Sequence, residues 1–153
     1  MTPLMLQTAI VKDLRELFRD YVYLNSSGAN QKIEIYEQSV PVLDTEDETD
    51  VFPYVEVRLT EGSDDGEMHL VEIAFVVGVY DNDKTAQGYK NVINILDKIH
   101  YRYGTNHVVG DGQGYQTGKW DWLMQEDAYF PYFFGAVVTK FAIASIQKED
   151  PYA

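Results

Sequence analysis

The sequence predicts an α+β fold, a mainly antiparallel sheet of about four to five strands with two helices, in the order α-β-β-β-α-β-β. Residues 68–80 form a long apolar run that alternates as a strand does, and a helical pattern follows over residues 89–103. Alternating runs also lie before and after this pair, as expected for hairpins. With 153 residues, the chain is expected to be a single domain, residues 1–153.

The first half begins with a predicted helix. Thr2 is a good N-cap, Pro3 suits the first helical position, and an apolar stripe indicates that the helix continues to residues 25–28. Residues 32–38 alternate and are predicted to be a short edge strand.

Three further segments precede or join the long strand. The acidic residues 44–50 predict an exposed loop. Residues 54–60 predict a half-buried strand, and an acidic, glycine-containing loop at 61–67 is expected to join it to the long strand as an antiparallel hairpin.

The long strand at 68–80 is apolar on both faces over much of its length. A strand of this kind must be covered on both faces, whereas one helix covers only one. We therefore expect the second face to be covered by another partner, for which the first helix is one candidate.

The second half begins with a helix for which Asp83 or Thr85 is the expected N-cap. The glycine-rich residues 104–119 predict a long flexible loop. Residues 120–124 then predict a strand with Trp120 and Trp122 on one face, and residues 136–146 a closing strand.

The charge balance argues against gripping nucleic acid. The chain has 25 acidic and 12 basic side chains, a formal charge of -13, which repels a phosphate backbone. It has no cysteine, which excludes disulfides and zinc-thiolate sites. No basic leader opens the chain and no run approaches about 18 apolar residues, so we expect a soluble protein without a membrane span.

Motifs for catalysis and cofactors do not fit. The glycines of residues 110–119 lack the spacing of a phosphate loop or a dinucleotide fingerprint, and Asp81-Asn82-Asp83 is not followed by the residues of a calcium loop. His69, His100 and His107 match no metal spacing. We therefore expect no catalytic, cofactor-binding or metal-binding residues, and a protein that is not an enzyme.

Aromatic residues make up 14% of the chain and suggest an interface. The rings of residues 129–134 cannot all be buried easily in one small core, although capping of the core at a sheet edge is the competing interpretation. The loops at 44–50, 61–67 and 104–119 are candidates for contacts with a partner, because they are long, polar or glycine-rich. The interface hypothesis comprises Asp64, Asp65, Glu67, Tyr129, Phe130, Tyr132, Phe133 and Phe134.

Several short stretches occur in a consistent order over about the last two thirds of the chain. They are FPYVEVRLTEG at 52–62, the acidic loop after it, VVGVYD at 76–81, Gly88-Tyr89 in a helix, and YFPYFFG at 129–135. In this order they resemble a family of small phage and prophage tail proteins, the tail terminator or head-tail joining (tail completion) proteins of long-tailed phages.

The resemblance implies a non-enzymatic homo-oligomeric ring, expected to be a hexamer, that caps the tail tube protein and docks to the head connector protein. DNA would pass through its lumen without specific binding, and a negative lumen would let it slide. The location implied is the virion tail, assembled in the host bacterial cytoplasm. A neighbouring subunit would then cover the second face of the long strand.

Three alternatives stay open at this point. One is another neck or tail-completion protein of the virion. Another is a small enzyme or ligand-binding domain that uses residues 104–119 as a lid. The third is an acidic regulator that binds basic proteins, for which the acids should form one dense face.

Overall fold

The computed structural model describes residues 1–24, 28–42 and 51–150, and the predicted acidic loop at 44–50 lies outside these ranges. The structure confirms the α+β class with two helices, and it contains more strands than the five expected. The elements are α1 (Pro3–Leu17), β1 (Val22–Leu24), β2 (Asn30–Lys32), β3 (Glu34–Glu37), β4 (Tyr54–Asp64), β5 (His69–Tyr80), α2 (Tyr89–Thr105), β6 (Val108–Val109), β7 (Gly114–Met124) and β8 (Tyr132–Ile143).

Six strands form one sheet in the order β3-β4-β5-β8-β7-β6, and β1 and β2 form a separate antiparallel pair. Within the large sheet β3 and β4 are parallel, whereas the other neighbouring pairs are antiparallel. The predicted hairpin is therefore confirmed as β4–β5, and β3 is the edge strand expected. Every residue of β5 has a partner in β8, so the long apolar strand lies at the centre of the sheet.

Both helices pack on the same face of this sheet. The odd-numbered residues of β5 from Val71 to Val79 are buried in one core with the apolar stripes of α1 and α2. Helix α1 contacts β3 and β4 near one edge and β6 at the other, so the sheet curls around it, while α2 lies on β5, β7 and β8. Among the described residues, no helix covers the opposite face, which we call the outer face.

Helix α1 begins as predicted but ends earlier. The Thr2 hydroxyl accepts a hydrogen bond from the Met5 amide at 3.2 Å, and Pro3 is the first helical residue. The helix ends at Leu17, not at residues 25–28. The apolar residues that seemed to extend its stripe belong to a turn and then to β1, where β-branched and aromatic side chains favour a strand.

A polar seam holds α1 against the β3 side of the sheet. The buried amide of Gln7 donates to the Val57 carbonyl at 2.8 Å and to the Gln38 side chain at 3.1 Å. The Gln38 amide in turn accepts from the Leu59 amide and donates to its carbonyl, at 2.9 and 3.1 Å. Gln38 follows the last residue of β3, and its side chain takes the place of a backbone hydrogen-bonding partner for β4. The backbone of Gln38 has a positive φ of 70°.

The predicted boundaries of three further segments were wrong. Residues 32–38 are divided between β2 and β3, and β4 continues to Asp64, which leaves only a short turn of the loop predicted at 61–67. Residues 104–119 are not a long loop, because β6 and the start of β7 occupy much of this segment. Its glycines serve the hairpin: Gly110 and Gly112 take positive φ in the turn, and Gly118 takes positive φ at the β7 irregularity.

The predicted N-cap of the second helix was also wrong. Helix α2 starts after Gly88 without a side-chain cap, and the Asp83 carboxylate instead accepts hydrogen bonds from the Thr85 amide and hydroxyl in the preceding turn. Those bonds stabilise the ionised carboxylate and lower the pKa of Asp83.

A glycine in β8 lets α2 approach the sheet closely. A Cβ at Gly135 would lie 2.7 Å from a methyl of Val92 and 2.8 Å from the Met124 sulfur. Gly135 faces the helices, and Val92 is fully buried. The close contact of α2 with β8 therefore requires the absence of a side chain at this position.

We predict that Gly135→Ala lowers the free energy of unfolding by about 1–3 kcal/mol, because the added methyl overpacks the core against Val92. Urea denaturation of the two single variants and of the double variant with Val92→Ala measures the coupling. The double variant should lose less stability than the sum of the two single losses. Additive losses would contradict a direct clash between the two positions.

Candidate interaction surfaces

The outer face is divided into an apolar half and a charged half. Near the β4–β5 turn it carries Arg58, Glu72 and Lys140 on neighbouring strands. Toward the opposite end the side chains of the central strands are apolar and only partly buried, and Leu123 at the β7 margin is 55% exposed. We call this region the apolar half; on the same face the acidic side chains of Glu56 and Asp121 lie at its two sides, opposite Val76 and Val138. The apolar residues of this half are Tyr54, Val76, Leu123, Phe134, Ala136 and Val138.

Phe52 closes an aromatic cluster at the end of the apolar half. Its ring lies 5.1 Å from Tyr54, 4.9 Å from Tyr132 and 5.9 Å from Phe134, as measured between ring centroids. Gly78 makes room for the cluster, because a Cβ there would lie within 2.5–2.8 Å of the Tyr54 ring. Burial, together with the nearby Glu56 carboxylate, raises the pKa of Tyr54 to about 12, so its phenol is neutral near pH 7.

The aromatic candidates from the sequence divide between the two faces of the sheet. Tyr132 and Phe134 are partly buried on the outer face, whereas Phe133 points to the helix side, is only 8% exposed and packs against Gly88. Tyr129 and Phe130, in the turn before β8, are 56% and 49% exposed. Phe133 therefore belongs to the core of the monomer, and the other four are accessible to a partner.

The acidic candidates lie in the β4–β5 turn, where two of them hold the backbone. The Asp64 carboxylate accepts from the amides of Gly66 at 3.0 Å and Ile146 at 2.9 Å, which attaches the C-terminal segment to the hairpin. Asp65 accepts from the amides of Glu67 and Met68 at 2.9 and 2.8 Å. These backbone bonds favour the ionised forms and lower the pKa of both Asp64 and Asp65, while Glu67 is exposed.

The structure does not bring the acidic and aromatic candidates together. The acidic turn precedes the first residue of β5, and the aromatic cluster surrounds the last, Tyr80, which pairs with Tyr132. A strand of this length separates them by about 35 Å. They form two distinct surfaces at opposite ends of the sheet.

A third surface, at the free side of β7, was not foreseen from the sequence. Trp120 packs inward between Phe75 and His100, but Trp122, on the same face as predicted, is 65% exposed. Trp122 forms one wall of a groove of about 120 Å³ between β7 and α2. Trp122 itself was visible in the sequence, but the side chains that face it across the groove belong to α2, which is distant along the chain. The groove is lined by Ile93, Leu96, Asp97, His100, Trp122 and Val137.

The described residues contain no group of three or more histidine, cysteine, aspartate or glutamate side chains able to hold a metal ion. The histidines lie apart: His69 is 3.7 Å from the Asp64 carboxylate, His100 stacks on Trp120, and His107 contacts the ring of Tyr115. No helix in the described part of the chain has the length and apolar character needed to cross a membrane.

We predict that Phe133→Ala lowers the free energy of unfolding by about 3–5 kcal/mol, because it removes a buried ring from the core. Tyr129→Ala, four residues away and largely exposed, should cost less than about 1 kcal/mol. Chemical denaturation followed by circular dichroism measures both values. Equal losses in the two variants would contradict the division of this segment between core and surface.

Acid should weaken the β4–β5 turn. Because the pKa of Asp65 in the folded state is below its ordinary value of 3.8, its contribution to stability is present above that value and lost as the pH falls through the lowered pKa. We predict that Asp65→Ala lowers stability at pH 7 and flattens the loss of stability between about pH 4 and pH 2. Thermal denaturation across this range tests it, with Glu67→Ala as the control that should keep the native profile.

The comparisons with known proteins assign no family. No family model matches the sequence, and no curated protein matches it.

Proposed function

We propose that the chain is a structural protein of the phage virion that assembles head to tail into a closed ring, acting as a tail terminator or head-tail joining protein. The observation that carries the proposal is the apolar half of the outer face. It is a broad, partly exposed surface on the central strands of the sheet, and neither helix covers it. A neighbouring subunit, expected in a hexameric ring, would supply the cover that this surface needs.

The composition of the apolar half supports a contact between proteins. Interfaces are depleted in charge at their centre and enriched in aromatic rings, as in the cluster around Phe52. The charged side chains Arg58, Glu72 and Lys140 lie in the other half of the same face, where they can form a polar rim. Tyr129 and Phe130 extend the accessible aromatic surface beyond the end of the sheet.

The acidic turn supports a separate role for the opposite end of the sheet. Asp64 and Asp65 are negatively charged near pH 7, and the lowered pKa values extend this charge to more acidic pH. Together with the formal charge of -13, this favours a wall that repels DNA phosphates. In the proposed ring, such a wall lets DNA pass without specific binding.

The order of elements, a helix, a central hairpin, a second helix and closing strands, is compatible with the tail-terminator-like fold that the sequence resemblance implies. In contrast, the alternative of a lid over a ligand site has lost its support. Residues 104–119, the expected lid, include β6 and the start of β7, which are bound into the sheet. Another neck or tail-completion protein would use the same apolar surface for assembly. It would differ from a tail terminator in the part of the virion that it binds.

Assembly tests the proposal directly. Light scattering and negative-stain microscopy of the purified chain, alone and mixed with phage tail tubes, should show rings of uniform size at the tube ends. Leu123→Asp places a charge in the apolar half of the outer face and should abolish the rings. A native chain that remains monomeric with and without tubes would overturn the proposal.

Leu4→Asp provides the matched control. It makes the same exchange at a site on α1 that is 68% exposed, and an acid in the first turn of a helix is compatible with the helix dipole. This variant should form rings like the native chain. Loss of rings in both variants, with both still folded, would contradict the assignment of the contact to the outer face.

A further inference from the structure

The free side of β7 is a long open edge of the sheet. On that side of β7 the described pairing is confined to its first residues: β6 pairs with Gly114 and Tyr115, and the Gln116 amide donates to the His107 carbonyl at 2.7 Å. The Gln125 amide donates to the Phe134 carbonyl of β8. Because bonding directions alternate along an antiparallel strand, the backbone groups of Trp122 and Met124 point away from β8, toward the open edge.

The other edge of the sheet is closed by contrast. Strand β3 is short, with four residues. The Ile35 carbonyl accepts a hydrogen bond from the Arg15 guanidinium at 3.2 Å, and the Glu37 carbonyl accepts one from the Ser39 amide at 2.9 Å. Proteins protect edge strands in such ways, since unpaired backbone groups form a template for another strand. Among the described residues, the backbone groups of Trp122 and Met124 have no such hydrogen bond from outside the sheet, and Trp122 is exposed.

Apolar recesses lie directly beside the open edge. The groove between Trp122 and Ile93 is one of them. A second, of about 310 Å³, lies further along α2 and β7 and includes Tyr89, Met124 and Phe133 in its walls. An added strand would pair with the backbone of β7 and insert alternate side chains into these recesses, which is the usual way in which a sheet edge recognises an extended peptide.

The charges around the recesses select the occupant. The first is bordered by Asp97, and the second by Glu126 and Asp127. The nearest lysine on the strand, Lys119, is paired with Asp121 at 3.3 Å. A segment with lysine or arginine at its ends complements this border, whereas a second copy of the chain brings a charge of -13.

We propose that the β7 edge from Trp120 to Met124 binds an extended segment of a partner protein as an added strand. The segment has apolar residues at alternate positions and basic residues at its ends. This surface is independent of the proposed ring contact, because the backbone edge and the α2 groove do not belong to the outer face.

Amide hydrogen exchange followed by nuclear magnetic resonance tests the inference with two synthetic peptides. Both alternate valine and threonine, and one has lysine and arginine at its ends where the other has glutamate. At saturating basic peptide, exchange at the Trp122 and Met124 amides should slow at least about tenfold, whereas the Leu123 amide, which faces β8, should change little. The glutamate-flanked peptide should bind much more weakly.

Trp122→Lys should abolish protection by the basic peptide, because it removes the wall of the groove and repels the basic ends. Tyr101→Lys, the same kind of exchange at an exposed site on α2 away from this groove, should leave protection intact. No protection of Trp122 and Met124 in the native chain, equal binding of both peptides, or protection that arises from protein concentration alone would overturn the proposal. The last result would identify a second copy as the occupant.

Discussion

The burial of one face of a curled sheet around two helices is the constraint on which the other features depend. Tyr103 is fully buried where these parts meet, stacked near Phe75 and edge-on to Phe141. Its hydroxyl donates to the Asp13 carboxylate of α1 at 3.2 Å, and Arg102 donates to the same oxygen. Burial and the Asp13 charge raise the pKa of Tyr103, which keeps the phenol neutral as a hydrogen-bond donor between the helices.

In the described part of the chain, this arrangement leaves no helix to cover the outer face. With α1 crossing from the β3 side to β6 and α2 lying on β5, β7 and β8, both helices are committed to one face. Phe52 covers the end of the outer face through its contacts with Tyr54, Tyr132 and Phe134, but the rows through Val76 and Val138 have no ring above them among the described contacts. Burying that surface against a partner would contribute about 25 cal/mol for each Å² of apolar area removed from water, before the cost of association.

The features that could be predicted from the sequence are those with a strong local period. Strand β5 and helix α2 have such periods, whereas the two-faced apolar character of β5 left open what covers its second face. The aromatic run at 129–134 could not be resolved in this way, because the direction of Phe133 depends on its register with Val79. The first half of strand β7 was missed because Gly118 interrupts its alternation at a bulge, and the seam at Gln38 depends on long-range contacts with Gln7 and Leu59.

The negative charge of the β4–β5 turn is compatible with assembly, because the turn and the apolar half of the outer face lie toward opposite ends of the sheet. The ionised carboxylates of Asp64 and Asp65 are anchored to backbone amides at the turn, where they stay in water. The apolar half of the outer face lies toward the other end of β5, so a neighbouring subunit can cover it without burying these acids, which would be costly. In the proposed ring, repulsion between these carboxylates is reduced by salt, while the contact itself is formed by the apolar and aromatic side chains that lie between Glu56 and Asp121.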